Sequence, residues 1–356
     1  MSTIDFDSAI TDYIPGRRRA RPVSDATRRG RPHRPLLGTA AAMAALAAVS
    51  TVGMIADDRM VLGESVWLKP WKFGVAFALY GLTLAWLLSL PHRGRRATWW
   101  LGTVFAVTGL IDVGFIAVQA TRGSFSHFND SDTDTVNRIG QQIFLSGVPG
   151  LFLANLAIVL VLSWQRLVDR PTTVAIRAGL VLAVLGMAQA YLMGFTGQQR
   201  VLDARGRPVT LLAGHTVIHP AERTDAPRDA VGMPITHWST IGGDLRIPHF
   251  VGLHGIQILL LAVFVAARLA PRYEWLRGAR TRAELIGVLA FGYTGLFGLV
   301  FWQAMRAQSL VHPDATTLAV AAGLLSTVTG LIVLVYLRGR RAVRGAPVSA
   351  AVRPLG

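Results

Sequence analysis

The chain is 356 residues long, 52% hydrophobic, free of cysteine, and carries a formal net charge of +16. Without thiols there is no disulfide framework, no cysteine nucleophile and no cysteine-held iron–sulfur cluster. The charge does not mark a nucleic-acid binder, because the basic residues are distributed around long apolar runs instead of forming one patch.

A hydrocarbon core ~30 Å thick takes about 20 apolar residues per helix. Runs of that length occur at Leu36–Ala56, Phe73–Leu90, Thr98–Ala120, Gln141–Ser163, Thr173–Phe195, Phe250–Ala270, Leu285–Met305 and Ala315–Leu337. They predict an all-α membrane protein, a bundle of about eight transmembrane helices with one long extracytoplasmic loop. The expected organisation is a disordered basic tail over 1–35, a membrane domain over 36–337 that includes the loop 196–249, and a second basic tail over 338–356.

The N-terminal tail carries Arg17-Arg18-Arg19 and Arg28-Arg29 and lacks apolar periodicity. Such a segment lies on anionic headgroups. The paired arginines before the first run also fit a cleaved twin-arginine signal; the length of the run favours a first helix that stays as an anchor. The next loop ends in Trp67-Leu68-Lys69-Pro70-Trp71-Lys72, where Pro70 suits the first turn of a helix. Lys69 and Lys72 are the only lysines. They read either as snorkelling anchors, the plainer option, or as anion contacts at the mouth of a site.

The third run contains Asp112, and a charge at that depth is costly unless it faces protein or water. Thr108, Asp112 and Gln119 share one helical face and lead toward a loop with Ser126-His127-Phe128-Asn129 and three aspartates. In the fourth run, Pro149 between Gly147 and Gly150 predicts a kink or break, which serves either a cavity lining or packing alone. The long loop opens with two β-type segments around Gly206, a hairpin signal over 200–212, and ends in glycine-, histidine- and aromatic-rich sequence that suggests an ordered cap. The sixth run begins His249-Phe250-Val251-Gly252-Leu253-His254, which puts His249, His254 and Gln257 on one broad face. The last two runs are plainer, and no internal repeat is evident.

Orientation follows from basic-residue bias. If the N-terminus is cytoplasmic, 24 of the 36 Lys and Arg residues fall inside and 12 outside. The positive-inside rule then places both termini in the cytoplasm and the protein in the cytoplasmic membrane. Trp71, Trp99, Trp100, Trp164, Trp275 and Trp302 lie near the ends of runs, where indole prefers the interface.

On that orientation seven of the nine histidines gather on the outer side, His33 and His92 being the exceptions. Histidine is a common metal ligand and titrates near neutral pH. The strongest candidates are His249 and His254 as metal ligands, His127 as a further ligand or catalytic group, and Asp112 as proton acceptor. His215 and His219 sit in a loop flanked by Gly214 and Pro220, so the pair reads better as solvated than as a zinc motif. No HExxH helix, P-loop, Gly-x-Ser-x-Gly elbow or desaturase-type histidine box occurs.

The stretches Trp67–Phe73, Ser126–Asn129 and Trp238–Thr240 with Gly242–Phe250 and Leu253-His254 resemble a group of bacterial multi-spanning integral membrane proteins. The resemblance implies a membrane fold over the second to sixth spans and carries no chemistry with it. The residues leave three readings open. The leading one is a membrane oxidoreductase that binds haem or a transition metal at the outer face. The second is a proton-linked small-solute transporter, and the third a non-catalytic sensor or assembly protein. The expected partners are the lipid bilayer and anionic headgroups at the basic tails.

Overall fold

The computed structural model describes residues 31–219, 221 and 227–344. Most of each expected tail, 1–30 and 345–356, lies outside the described residues. The helices are α1 (Arg34–Ala56), α2 (Leu68–Ser89), α3 (Arg95–Arg122), α4 (Thr135–Ser163), α5 (Arg170–Ala190), α6 (Arg246–Leu253), α7 (Gly255–Leu269), α8 (Ala279–Met305) and α9 (Ala315–Arg344). Seven helices are long and apolar enough to cross a membrane; α6 and α7, bent by 43°, make an eighth if the pair is one span. This is consistent with an all-α membrane bundle. Helix α9 continues past the expected limit at Leu337, so part of the second basic tail is helical.

Local sequence explains the helix ends. The ring of His33 accepts the Leu36 N–H and caps α1. Pro70 sits in the first turn of α2, which starts at Leu68, five residues before the expected Phe73. Asp134 caps α4 by accepting from Val136 and Asn137. Gly123, at φ 68°, closes α3 in a left-handed conformation.

Small residues let the helices approach closely. A Cβ on Gly74 would lie 2.8 Å from the Met43 carbonyl oxygen of α1. A Cβ on Gly186 of α5 would lie 2.6 Å from the Leu253 nitrogen and 2.9 Å from the Gly252 Cα. The main apolar core joins α1 through α5 to the start of α7, with Leu84, Ile158, Leu180 and Ile256 almost fully buried.

Of the kink or break expected at Pro149, no break occurs. Helix α4 runs unbroken through it from Thr135 to Ser163. Proline removes one donor and crowds one turn, a defect that a long helix held by its neighbours absorbs. The break falls instead at His254 (φ −91°, ψ 4°), between α6 and α7. There Gly252 is pressed against Gly186, and the Tyr293 hydroxyl of α8 donates to the Val251 carbonyl beside the bend at 2.9 Å.

Four interhelical segments meet at one end of the bundle and form a cap. Strands β1 (Met60–Val61) and β2 (Glu64–Ser65) make a small ribbon between α1 and α2. Strands β3 (Gln199–Leu202) and β4 (Pro208–Leu211) form the expected hairpin, turning at Gly206 with φ 73°. Strands β5 (Thr216–Val217) and β6 (Gly243–Asp244) pair across the long loop. The segments are tied together by Ala204 N–H to the Gly123 carbonyl, Leu212 N–H to the Phe128 carbonyl, and the Ser309 hydroxyl to the Ser239 carbonyl. The described part of the long loop thus forms a lid on the helices.

Candidate functional site

Beneath the cap lies a cavity of about 680 Å³, within the range of small-molecule sites. Its walls come from α2, α3, α4 and α5, the start of α6 and the cap. Asp112, His127 and His249 all line it, three of the four residues singled out from the sequence. His254 does not; it sits at the α6–α7 break with its ring parallel to Phe250, centroids 6.2 Å apart. The His254 N–H still donates to the Phe250 carbonyl at 3.0 Å, so His249 and His254 keep their helical relation, and of the three residues on the expected face only Gln257 lies beyond the break.

The deep part of the chamber is apolar, with Phe73, Phe77, Phe105, Phe144, Leu151 and Phe152 in its wall. Asp112 breaks this lining. It is 5% exposed, and its Oδ1 is buried with no hydrogen-bond partner among the described residues. A Cβ on Gly147 would lie 2.2 Å from that oxygen, so the glycine of α4 makes room for the carboxyl group. The expected polar stripe is divided by role. Thr108 bonds back to the Val104 carbonyl of its own helix, and Gln119 donates to the Phe125 carbonyl and Asn137 Oδ1. Both are structural, which leaves Asp112 as the polar residue of the stripe that lines the cavity.

His127 lies among aromatic rings, 4.4 Å from Phe144 and 5.9 Å from Phe73 between centroids. Its Nδ1 is 3.0 Å from the Ser126 hydroxyl. Burial, with the Lys69 charge and His215 adding to it, holds His127 well below its ordinary value of 6.5, so the ring is neutral. His249 Nδ1 donates to the Gly186 carbonyl at 2.8 Å, which fixes the tautomer and leaves Nε2 without a partner among the described residues.

The mouth of the chamber holds the two lysines, for which an anion contact was the lesser expectation, together with Glu64 and Arg246, which the sequence did not single out. Lys72 pairs with Glu64 at 3.0 Å, and its Nζ also donates to the Thr236 carbonyl at 3.3 Å. Burial alone would raise Glu64, but Lys72 and Arg246 overcome it and keep the carboxylate ionised. Arg246 pairs with the fully buried Asp244 at 2.7 Å and donates to the His237 carbonyl. The two lysines therefore line the cavity and are not snorkelling anchors. The sequence signal was present: Lys69 and Lys72 are three residues apart on a helix that starts with Pro70 in its first turn, and they share one face.

His215 also corrects the solvated reading. Its ring lies 3.4 Å from Asp229 and against Phe128, and it lines the cavity. Burial lowers its proton affinity below the ordinary value, Arg246 adding to the effect despite Asp229. Burial would raise Asp229, yet its contact with His215 and its bonds from the His215 and Thr216 N–H groups and Gln199 hold it far below the usual carboxylate range. Asp229 and its neighbour Arg228, which donates to the Gln198 and Thr216 carbonyls, fasten the cap from within.

The chemistry available here is binding, hydrogen bonding and proton exchange. Among the described residues no group of three or more His, Cys, Asp or Glu side chains converges to hold a metal ion. The chamber residues thus do not present a closed first coordination shell. Comparison with protein-family models, with curated proteins and with solved structures finds no match.

Proposed function

We propose that this polytopic membrane protein is a proton-linked carrier of small molecules, with the chamber as its solute site and Asp112 as the group that exchanges the proton. One observation carries the reading. A single cavity of about 680 Å³ joins a lysine-lined mouth under the cap to a buried carboxyl oxygen that has no partner among the described residues. An ionisable group left unpaired at membrane depth is costly and is kept where a proton or ion pathway uses it. On the basic-residue bias of the sequence, the cap faces outward and both termini lie in the cytoplasm.

The absence of cysteine makes the test clean. Single cysteines at Gln142 and Ala76, both in the chamber wall, should react with a membrane-impermeant maleimide added from the capped side. Relative to an exposed reference thiol at the same pH, which corrects for thiolate formation, the rate should change between acidic and neutral pH in these otherwise wild-type backgrounds. Adding Asp112→Asn should remove that change, while Ile111→Leu, on the exposed side of α3, should preserve it. Relative rates independent of pH in all six proteins would remove the proton link.

The metal- or haem-binding oxidoreductase expected from the sequence keeps one supporting observation, the unpartnered Nε2 of His249 in the chamber wall. His249 and His254 would be its ligands and His127 the third. Absorption and elemental analysis of the purified protein separate the two readings. The carrier reading expects no Soret band and no stoichiometric metal, whereas a metal lost in His249→Ala would restore the oxidoreductase.

A further inference from the structure

The chamber is sharply divided in polarity, and the division defines what fits it. We infer that its ligand is an amphiphile with a single anionic head, an alkyl or aryl carboxylate, seated head-up at Lys69 and Trp238 with its apolar body between the phenylalanines below. This rests on the reading of the cavity as a solute site and names the class of solute.

Three observations support the head position. First, the cations at the mouth differ in how closely they are paired, although Asp130 and Asp132 also line the chamber. Lys72 is taken by Glu64 and Arg246 by Asp244, but Lys69 has no hydrogen-bond or ion-pair partner among the described residues. Second, the indole Nε1 of Trp238 is buried with no acceptor, and the hydroxyl of Thr236 is also unpartnered. Both residues line the chamber, and the Lys72–Thr236 bond brings their loop to the lysines. An ammonium and an indole N–H can only donate, so a group that satisfies both is an acceptor. The acceptor that also forms a direct ion pair with Lys69 is an anionic oxygen group. Third, a second space of about 50 Å³ adjoins the chamber and shares Glu64, Lys69, His127 and Arg246 with it. It is large enough for a head group or its water and far too small for the body of a ligand.

The body position follows from the remaining wall. Below the mouth, Phe73, Phe77, Phe105, Phe144 and Phe152 line the chamber, and Asp112 lies among them. A polar solute would leave its own hydrogen-bonding groups unmet against these rings, whereas an apolar chain gains from leaving water. With the head held at Lys69, the ligand body reaches toward Asp112 and couples occupancy to that carboxyl group.

The test uses full-length protein in neutral detergent, with four probes that share one chain: hexadecanoate, its methyl ester, hexadecylamine and hexadecyl phosphate. Quenching of tryptophan fluorescence and calorimetry give the affinities. Hexadecanoate should bind at least about tenfold more tightly than the ester or the amine, as a charge-assisted hydrogen bond predicts. Lys69→Met should remove that preference by weakening the acid and not the ester. Trp238→Phe keeps the ring, loses the N–H and should weaken the acid several-fold; it reads the same contact if Lys69→Met does not fold. Acid and ester of equal affinity, unchanged in both variants, would overturn the anionic head and leave the solute chamber standing. Failure of every probe to bind would overturn both. A more than tenfold preference for the phosphate over the carboxylate would overturn the monocarboxylate class.

Discussion

Helices α3 and α9 are alike as sequence and opposite as structure. They have 28 and 30 residues and mean hydropathies of 2.0 and 2.4, yet 44% of one apolar window is buried and only 6% of the other. Eleven residues of α3 are buried, Asp112 and Gln119 among them, whereas α9 buries Thr317, Val335 and Gly339. The difference teaches that hydrophobicity selects helices for a bilayer but does not choose which are central. Lipid tails are as apolar as leucine, so an apolar face gains little from another protein face. Buried polar side chains mark the interior more faithfully than apolar ones do, because lipid cannot satisfy them.

The largest effect that would break this comparison is steric. Gly186 of α5 meets backbone atoms of Gly252 and Leu253 at under 3 Å from an added Cβ, whereas Gly330 of α9 has nothing within 4 Å. Gly186→Val should cost ~3 kcal/mol or more, or prevent folding, since backbone cannot step aside as a side chain can. Gly330→Val should change stability by less than about 0.5 kcal/mol. Thermal unfolding in detergent decides the pair, and equal effects would contradict the assignment of interior and rim.

A smaller effect separates polar groups in the same way. The Tyr80 hydroxyl bonds Asn155 Oδ1 at 2.9 Å between α2 and α4, and both residues are buried. Tyr80→Phe should cost ~1–2 kcal/mol by leaving the amide oxygen unmet. Thr327 on α9 only bonds back to the Gly323 carbonyl of its own helix and is exposed. Thr327→Val should be close to neutral. A neutral Tyr80→Phe would show that water or lipid reaches Asn155.

The smallest effect is a pH slope confined to the capped end. His127 and His215 resist protonation in the folded chain, chiefly through burial. The unfolded chain takes up these protons as pH falls through 6.5, the ordinary histidine value, and the folded chain does so only at lower pH. Stability is therefore full above 6.5 and declines below it, with a slope under ~1.4 kcal/mol per pH unit for each group. His127→Phe, which suits the surrounding rings, should flatten the decline. An unchanged slope in that variant would mean that His127 is protonated in the folded protein.

Much of the architecture was legible in the sequence because its causes are local. Bilayer thickness sets run length, so eight runs could be counted; seven emerge as helices long and apolar enough to span, and the sixth run corresponds to the bent pair α6–α7. A glycine turn between two β-type segments specified the hairpin of β3 and β4. The cost of Asp112 at membrane depth pointed to a residue that lines the chamber. Tertiary contact decided the rest. Pro149 carries the strongest local signal for a break, yet the chain bends at His254, where the Gly186–Gly252 contact and Tyr293 act from other helices. His254 stays helically related to His249 through its bond to the Phe250 carbonyl, yet it lies outside the chamber wall that His249 lines. The lysines show the same limit. Their charge and spacing are local, but their place in the chamber depends on Glu64 and the loop around Thr236, the latter more than 160 residues away in the chain. Run length and turn chemistry act within a few residues. The partner of a buried charge is set only when distant segments meet, and here they meet beneath the cap.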